Sequence, residues 1–527
     1  MDKPLGYRYL VEHYALPVLP LDISACVTSG VRSRETRRQG SATLLCFAPS
    51  YDPGEALPDQ IQFALRYEGV NLQVLAFLFE RIDGMELAHW LMGSPASAYA
   101  RRACFLFEWL TGKQLPVDDP VSPRAAYVSA VDHSMQFVLD EGERQSRFRV
   151  IDNLPGTPAF CPLVRKTDYL KAMHAMDLQA LARSTLARYD ADLLRRAAAF
   201  LYLKETQSSF EVEREKPSHN KAQRFADLLR LADTREPVTM DRLVMLQNAV
   251  IDPRFHEFTW RQQQNWIGKD MGFRQQVDFV PARPEDLPSL MSGLLVMADR
   301  LKADINTAAK GRPDGPAFIA DFENDIFLIA RVPLDPVVAA ACIAFGFVYI
   351  HPFMDGNGRI HRYLIHDVLA KAGFTPRGIV LPVSAVILAN LDDYIATLEH
   401  FSRPLNARTR FDPEVPDAPA TGNGAVYFRY PDLTCQAEFL YRALHRTVTV
   451  DLQEEIDFLL GFDRARTTLG RMLDWPGHTL DLFIRLVHQN DGVLSQGKRK
   501  RYFSWMTDEE VREAEVAVTH AFSSGPS

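Results

Sequence analysis

The longest apolar run of this chain, residues 337–350, leaves few choices for the structure around it. It reads Val-Val-Ala-Ala-Ala-Cys-Ile-Ala-Phe-Gly-Phe-Val-Tyr-Ile, without a charged residue. The run is shorter than the roughly 18 residues that a helix needs to span a bilayer. We therefore predict a helix buried in the core, and no membrane partner. Pro352 disfavours the α region for the residue before it, so this helix should end at His351.

The residues that follow this run, 351–362, are rich in glycine and charged side chains. They read His-Pro-Phe-Met-Asp-Gly-Asn-Gly-Arg-Ile-His-Arg. Gly356 and Gly358 allow backbone N–H groups to approach an anion without an intervening Cβ atom. The periodicity over 357–372 predicts a helix that begins at this glycine pair and ends at Gly373. The free amides and the dipole at such a helix start favour phosphate.

The ionisable side chains of the same stretch supply the other parts of a nucleotide site. Arg359 and Arg362 are three residues apart, so they share a helix face and can contact successive phosphates. Asp355 offers a hard oxygen ligand for Mg²⁺. The imidazole of His351, with a usual pKa near ~6.5, can be neutral and accept a proton from a hydroxyl. Together they predict a site for a nucleoside triphosphate with Mg²⁺, next to a base that activates a nucleophile.

The stretch 351–362 resembles the motif of the Fic (filamentation induced by cyclic AMP) family, His-Pro-Phe-x-Asp/Glu-Gly-Asn-Gly-Arg-x-x-Arg, and every defined position is filled. The resemblance implies AMPylation, the transfer of AMP from Mg-ATP to a Tyr, Thr or Ser hydroxyl of a target protein. It implies that His351 is the catalytic base and that Asp355 holds Mg²⁺. It also implies nucleotide binding by the anion hole and the arginines: Gly356, Asn357, Gly358, Arg359 and Arg362. The Doc branch, which transfers phosphate, has lysine in place of Gly358, so glycine favours nucleotidyl transfer.

Residues 206–214 resemble the inhibitory helix of one class of Fic proteins, whose pattern is Ser/Thr-x-x-x-Glu-Gly/Asn. They read Thr-Gln-Ser-Ser-Phe-Glu-Val-Glu-Arg and place Ser209 four residues before Glu213. The resemblance implies that Glu213 pairs with Arg362, displaces the γ-phosphate and blocks productive ATP binding. A carboxylate and a γ-phosphate compete for one guanidinium, so such inhibition is physically sensible.

Two features of this stretch leave its assignment open. Arg214 stands where the family pattern has Gly or Asn, and Glu211 is an alternative carboxylate. A run of charged residues of this kind can also be simply the solvated face of a helix. The inhibitory interpretation, with Glu213 as its carboxylate, therefore depends on the resemblance.

Residues 266–281 predict a short β-hairpin inserted among helices. They contain the turn-rich segment Trp-Ile-Gly-Lys-Asp-Met-Gly, followed by Val-Asp-Phe-Val-Pro. The hairpin lies where the Fic family has its flap, which holds an extended target segment by strand addition. Without the resemblance, a hairpin among helices is usually a plain connection between them.

The expected fold class is mainly α: a Fic-type helical core with a short β-hairpin flap, and mostly helical extensions on either side. The predicted divisions are an N-terminal extension (1–165), the core with the inhibitory helix near 200–215 (166–405), a Pro/Gly-rich linker (406–425) and a C-terminal helical domain (426–527).

Smaller patterns fill in the two extensions. The N-terminal one contains an amphipathic stretch over 67–91, a helix pattern over 99–110 that ends at Gly112, and Pro- and Asp-punctuated irregular or short strand structure over 116–162. An arginine run over 32–38 is interpreted as a solvated loop, and so is the basic run over 498–501.

Composition limits the partners that we expect. The 527 residues carry a formal net charge of −8, so there is no overall attraction for nucleic acid, which is not an expected partner. The six cysteines have no CxxC spacing, and the first residues show no secretory signal, which together favour a cytoplasmic protein. The expected partners are ATP and a protein with a target hydroxyl. The oligomeric state is open, with a homodimer as one option.

Other interpretations of the site stay open at this stage. One group comprises transfer of a different phosphate-linked group, such as UMP or phosphocholine, and removal of AMP from a modified protein. Another is a nucleotide-sensing or DNA-binding regulator without catalysis. Zinc is disfavoured because His361 and His366, five residues apart, point in different directions on a helix.

Overall fold

The computed structural model of the protein describes residues 2–40, 42–118, 124–232, 236–271, 275–301, 321–322, 325–326, 334–376, 378–415 and 417–523. Within these ranges the chain is mainly α-helical and forms several small sheets. The mainly α fold class predicted from the sequence is confirmed.

The first part of the chain combines a four-stranded sheet with five helices. The strands follow the order β1-β2-β4-β3, in which only β2 and β4 run parallel. They are β1 (Lys3–Leu5), β2 (Ile23–Val27), β3 (Arg34–Gln39) and β4 (Ala42–Phe47). The helices are α1 (Gly6–His13), α2 (Leu57–Tyr67), α3 (Leu72–Arg81), α4 (Met85–Gly93) and α5 (Ala98–Thr111).

The helix patterns of this region are confirmed, with breaks at glycines. The amphipathic stretch over 67–91 is divided into the end of α2, α3 and α4, because Gly69 and Gly84 have φ angles of +86° and +82°. Helix α5 ends at Gly112, which has a φ angle of +69°, as its sequence predicts.

The arginine run near the start of the chain forms a strand, so its interpretation as a loop is wrong. Residues 34–39 pair antiparallel with β4 at the edge of the sheet, with Arg37 opposite Leu44. The side chains of residues 34–38 are exposed, as expected for a solvated segment. Charged side chains are typical of edge strands, where they prevent pairing with another chain. Tertiary pairing with an apolar strand, which the local pattern does not reveal, decides the structure here.

Five short strands follow, in agreement with the irregular texture of this part of the sequence. They are β5 (Val128–Ser129), β6 (Gln136–Phe137), β7 (Glu143–Gln145), β8 (Val150–Asp152) and β9 (Val164–Arg165).

The central part of the chain is helical around two short pairs of antiparallel strands. Its helices are α6 (Asp168–Met176), α7 (Leu178–Leu186), α8 (Ala191–Val212), α9 (His219–Leu231), α10 (Met240–Val250), α11 (Leu287–Arg300), α12 (Pro336–Ile350), α13 (Asn357–Lys371), α14 (Val383–Ala389) and α15 (Leu391–Asn406). The strands are β10 (Ile267–Asp270), β11 (Gln275–Phe279), β12 (Asp321–Phe322) and β13 (Asp325–Ile326).

The last part of the chain is again helical. It contains α16 (Ala425–Arg429), α17 (Thr434–Arg446), a π-helical turn (Thr447–Asp451), α18 (Leu452–Met472), α19 (Gly477–His488), α20 (Gln496–Tyr502) and α21 (Asp508–Ser523). The basic run over 498–501 lies in α20 and is mostly exposed, so it is solvated but helical, and its interpretation as a loop is wrong.

The hydrophobic residues form one large central cluster and smaller ones at each end. The central cluster continues from Phe137 to Ile456 and so includes α17 and the start of α18. A second cluster is built mainly by α1–α5, and a third by the end of α18 with α19–α21. The domain boundaries proposed from the sequence stay predictions.

Helix α12 lies at the centre of the largest cluster, as its apolar sequence predicts. Every side chain from Val337 to Ile350 is buried, and the helix packs against α11, α13 and α17. The carboxylate of Asp335 caps its start by accepting from the backbone N–H groups of Val337 and Val338 at 3.0 Å. None of the described helices combines the length and apolarity needed to cross a membrane. The core thus holds α12 in place, and His351 lies at the C-terminal end of this helix.

Candidate active site

His351 ends α12 in a left-handed backbone conformation and presents a neutral imidazole. Its φ and ψ angles are 56° and 61°, and its N–H donates to the Phe347 carbonyl at 2.9 Å. The ring Nδ1 lies 3.1 Å from the Val348 carbonyl, so it carries the proton and leaves a lone pair on Nε2. Burial lowers the pKa of His351 to about 4, although the residue keeps a partly exposed edge. The imidazole can therefore accept a proton at neutral pH.

The loop after His351 is held in shape by Asn357, at the start of α13. Its side-chain amide donates to the Phe353 carbonyl at 2.7 Å and accepts from the Phe353 N–H at 3.1 Å. Asn357 is almost fully buried, so its side chain shapes the loop and only its backbone can face an anion. This refines the anion-hole role that the family resemblance implies for this residue.

Neither Gly356 nor Gly358 has room for a side chain. Gly356 has a φ angle of +87°, and a Cβ atom there would lie 3.2 Å from Ile251 Cγ2. A Cβ atom on Gly358 would overlap Oε1 of Glu213 and lie 3.5 Å from Nη1 of Arg362. A carboxylate therefore already occupies the space at the first turn of α13, where a helix start favours an anion.

Asp355 lies on the solvent-exposed side of this loop. Its Oδ1 accepts from the Gly356 N–H at 2.6 Å and lies 3.3 Å from Nη2 of Arg359. The side chain is 59% exposed, so it is accessible to a hydrated cation. Among the described residues no group of three or more His, Cys, Asp or Glu side chains could hold a metal. A metal at Asp355 would thus take most of its oxygen ligands from phosphates and water, as Mg²⁺ commonly does.

Arg359 and Arg362, predicted as phosphate ligands, are both contacted by Glu213 at the end of α8. Glu213 Oε1 accepts from Nη2 of Arg362 at 2.7 Å, and its Oε2 lies 3.0 Å from Nε of Arg359. The arginines are only 1% and 2% exposed. Ser209 binds Arg362 twice, through its hydroxyl and its carbonyl, each at 2.7 Å. The structure thus brings together the two residues of the predicted inhibitory pattern and both arginines of the motif.

The end of α8 explains the Gly/Asn position of the inhibitory pattern. The Arg214 N–H donates to the Glu211 carbonyl at 2.8 Å, and the Glu215 N–H donates to the Phe210 carbonyl at 3.0 Å. These two bonds form a Schellman motif, which requires a left-handed residue after the helix. Arg214 takes that conformation with a φ angle of +59°. Arg214, in place of Gly or Asn, therefore still forms the turn that directs Glu213 towards the arginines. Its backbone is strained as a result. The alternative carboxylate, Glu211, is exposed on α8.

Glu215 is a second carboxylate at the arginines, and sequence reasoning missed it. Its Oε2 accepts from Nη1 of Arg359 at 3.2 Å and from Nζ of Lys221 at 3.1 Å. The guanidinium of Arg359 also lies 5.3 Å from the centre of the Phe210 ring, a cation–π distance. No spacing in the sequence distinguishes Glu215 from the charged residues around it, because its contact depends on the turn at Arg214.

A buried polar contact two turns earlier fixes α8 against α13. Glu205 is fully buried; its Oε1 lies 2.7 Å from Nε2 of His366, and its Oε2 accepts from the Ser384 N–H at 2.8 Å. His361 instead packs edge-on against the Phe345 ring at 4.7 Å, and burial lowers its pKa to about 3. The two histidines thus serve separate structural contacts, in agreement with the argument against zinc.

The predicted β-hairpin is confirmed as β10 and β11, which pair antiparallel with Gly268 opposite Val277. Asn265, just before β10, donates from its side-chain amide to the Phe353 carbonyl at 3.0 Å. The Val277 carbonyl accepts from the Asn406 side chain at 3.3 Å, so β11 faces α15. In the part of the chain that the structure describes, β10 pairs with β11 alone.

Comparisons with known proteins agree with this site. Residues 237–369 match the sequence model of the family described as "Fic/DOC family". The chain is similar to the protein adenylyltransferase fic-1 of Caenorhabditis elegans, with 35% identity over 82 residues, or 14% of this chain and 15% of that protein. It is also similar to the protein adenylyltransferase Fic of Nematostella vectensis, with 47% identity over 55 residues, or 10% and 13% of the two chains. The chain thus spans less than a sixth of the length of either relative.

Two solved structures share weaker similarity. One is a Fic domain containing signaling protein from Bacteroides thetaiotaomicron VPI-5482, with 18% identity, a TM-score of 0.34 and coverage of 53% of this chain and 96% of that one. The other is a Fic family protein from Desulfovibrio desulfuricans G20, with 17% identity, a TM-score of 0.33 and coverage of 64% and 82%. The chain contains a Fic/DOC family region, residues 237–369, and its similarity to protein adenylyltransferases lies within this region.

Proposed function

We propose that this protein transfers AMP from Mg-ATP to a Tyr, Thr or Ser hydroxyl of a target protein, and that Glu213 restrains this activity. The observation that carries the proposal is the position of the Glu213 carboxylate. It lies above the first turn of α13 and contacts both Arg359 and Arg362. A carboxylate in this place occupies space suited to a phosphate group, because the same amides and guanidinium groups bind either anion.

In the proposed reaction, Nε2 of His351 accepts the proton of the target hydroxyl. The hydroxyl oxygen then bonds to the α-phosphorus, the bond from that phosphorus to the bridging oxygen breaks, and pyrophosphate leaves with the electron pair. The amide at Gly358 and the side chains of Arg359 and Arg362 hold the phosphates as negative charge moves to the leaving group. Asp355 would hold Mg²⁺, which would neutralise phosphate charge when bound.

The proposed target site is the outer edge of β10, where an extended segment would pair by backbone hydrogen bonds. Asn265 connects the base of this hairpin to the loop that follows His351. A hydroxyl on a paired segment would thus be presented near the base. Proximity of this kind accounts for much of the rate gain in group transfer.

The proposed restraint follows from competition for the arginines. With Glu213 on Arg359 and Arg362, the β- and γ-phosphates cannot reach both guanidinium groups, and ATP cannot bind in the productive arrangement. Withdrawal or removal of the Glu213 side chain would free the arginines and the space above Gly358.

The test is labelling by full-length protein carrying Glu213→Gly, incubated with α-labelled ATP, Mg²⁺ and a cell lysate. We expect label on the protein itself or on a lysate protein, much less with the unchanged protein, and none when His351→Ala is added. Intact-mass measurement across ATP, UTP, CTP and GTP would identify the transferred group. Absence of label with every nucleotide, despite folded protein, would contradict the proposed function.

A further inference from the structure

Arg261 connects His351, the loop before the β10–β11 hairpin and a residue that follows the hairpin. It is only 2% exposed. Its Nε donates to the His351 carbonyl at 2.9 Å, its Nη1 to the Gln263 carbonyl at 2.8 Å, and its Nη2 to the Ala282 carbonyl. Its backbone N–H donates to the Pro352 carbonyl at 2.9 Å. One side chain therefore joins the end of α12 to both ends of the hairpin.

The guanidinium group of Arg261 lies at the C-terminal end of α12, where a helix favours a cation. The carbonyl of His351 belongs to the end of that helix, where the dipole and unpaired carbonyls are negative. Burial of a charged group is costly unless hydrogen bonds compensate it. Burial lowers the pKa of Arg261 to about 10, so the group stays protonated near pH 7. Glu257 and Glu285 are the acidic groups that act on it electrostatically. The N–H groups of its planar guanidinium donate to backbone carbonyls.

We propose that Arg261 is a positioning residue, which holds the His351 imidazole and the β10–β11 hairpin in one fixed arrangement. Asn265 acts as a second connection through the Phe353 carbonyl. If the connection at His351 is lost, the backbone at the end of α12 can relax and the ring can move relative to a segment on β10. The part of the inference that concerns a target hydroxyl rests on the proposed function, whereas the position of the ring does not.

A residue that merely stabilises the fold would affect the amount of folded protein, not the ionisation of His351. The charged groups that act on His351 are Arg261 before the site and Asp355 after it. Removal of the Arg261 charge and entry of water both favour the protonated imidazole, so both would raise the pKa of His351. The ionisation of this ring therefore reports the charge and the water around it separately from stability.

The variants are made in full-length protein carrying Glu213→Gly. Arg261→Met removes the charge and the donors, whereas Arg261→Lys keeps a charge without the fork. Arg254→Met is the matched control, because Arg254 lies in the same loop but is exposed and pairs with Asp252. The pKa of His351 is measured by carbethoxylation with diethyl pyrocarbonate from pH 4 to 8, followed by mass spectrometry of the His351 peptide.

We expect Arg261→Met to raise the midpoint of His351 modification by about one pH unit or more. We also expect it to lower kcat for labelling at least tenfold, on the order of the loss that small misplacements cause. The KM for ATP should change less than about twofold, because the phosphate ligands are untouched. Arg261→Lys should keep the midpoint near that of the parent and still lower kcat, and Arg254→Met should match the parent in both.

Each other result counts against the inference. If Arg261→Met leaves the modification midpoint unchanged, or if labelling falls only in proportion to folded protein in a thermal melt, Arg261 is not a positioning residue. If the parent labels nothing while the midpoint shifts as expected, the proposed function fails and the effect of Arg261 on His351 stands.

Discussion

Two properties of His351 leave it neutral, with a free lone pair, near pH 7. Its Nδ1 is engaged by the Val348 carbonyl, so the lone pair of Nε2 is free for a substrate proton. Its surroundings lower its pKa to about 4, chiefly through burial and also through the charge of Arg261, so the ring stays neutral well below its usual range. The same burial costs stability in acid, because the unfolded chain binds a proton there that the folded chain does not.

The pH dependence of labelling follows from the lowered pKa of His351. A folded pKa below the usual ~6.5 means that the base stays neutral as pH falls from 7 to about 5. Initial labelling rates of the Glu213→Gly protein should therefore change little over that range and fall only as pH approaches the pKa near 4. A rate that halves near pH 6.5, in protein shown by circular dichroism to be folded, would contradict this assignment.

Arg214 is the residue at which this chain departs most clearly from the inhibitory pattern. Its left-handed conformation, with a φ angle of +59°, costs a residue other than glycine about 1 kcal/mol. The turn is nevertheless formed, because the Schellman hydrogen bonds and the contacts of Glu213 hold it.

Replacement of Arg214 by glycine should strengthen the restraint. Relief of about 1 kcal/mol of strain favours the docked turn roughly fivefold, so residual labelling by the otherwise unchanged protein should fall by about that factor. Arg214→Ala keeps the strain while removing the charge, and should not reduce labelling. A quantitative comparison of residual labelling in the two variants is the measurement; equal effects would assign the result to charge, not to backbone conformation.

At the scale of elements, α8 docks on α13 through polar residues spaced four apart. Glu205 contacts His366, Ser209 contacts Arg362, and Glu213 contacts Arg362 and Arg359. The spacing places the three on one face of α8, which runs antiparallel to α13. The last contact of the series occupies the proposed phosphate site, so the end of α8 and the nucleotide compete for one location.

Glu215 extends this competition to a second carboxylate. In protein carrying Glu213→Gly, Arg359 would still be contacted by Glu215. Adding Glu215→Gln should therefore tighten ATP binding by a further several-fold, since a hydrogen bond to a charged group is worth about 1.5–3 kcal/mol and part of that is regained from water. Isothermal titration with ATP and Mg²⁺ measures the affinity. Glu211→Gln, at the exposed carboxylate of the same helix end, is the control and should change nothing.

Sequence reasoning identified the elements whose signals are local. The apolar run of α12, the glycine-led start of α13 and the hairpin all depend on periodicity and on Gly and Pro positions, which a sequence displays directly. The contact of Glu213 with Arg362 follows from the resemblance to a family pattern. Glu215 and Arg261 were not predictable, because each acts through contacts set by tertiary packing. The edge strand β3 depends on pairing with β4 and was missed for the same reason.

At the scale of the whole molecule, a partly buried group of acidic and basic side chains joins distant parts of the chain. Arg165 lies 3.1 Å from Asp22 and 2.7 Å from Asp432, and His400 on α15 lies 3.0 Å from Asp22. Although burial raises the pKa of Asp22, His400 and Arg165 lower it overall, so the carboxylate stays charged. The hydrogen bond to Asp22 raises the pKa of His400. This group holds four separate segments of the chain together.

Arg165→Met should therefore destabilise the protein by about 3 kcal/mol, because two partly buried carboxylates would lose their shared partner. The matched control is Arg196→Met, which breaks an exposed pair with Asp463 between α8 and α18 and should cost less than about 1 kcal/mol. Thermal unfolding of both variants gives the comparison. Similar midpoints for the two would show that the Arg165 group contributes no more than a surface ion pair.

The most direct test of the central claim is a crystal structure of the Glu213→Gly protein with ATP and Mg²⁺. We predict the triphosphate on the first turn of α13, with its β- and γ-phosphates on Arg359 and Arg362, the metal on Asp355, and Nε2 of His351 facing the α-phosphate. A triphosphate bound elsewhere, or an imidazole turned away from the α-phosphate, would contradict the account.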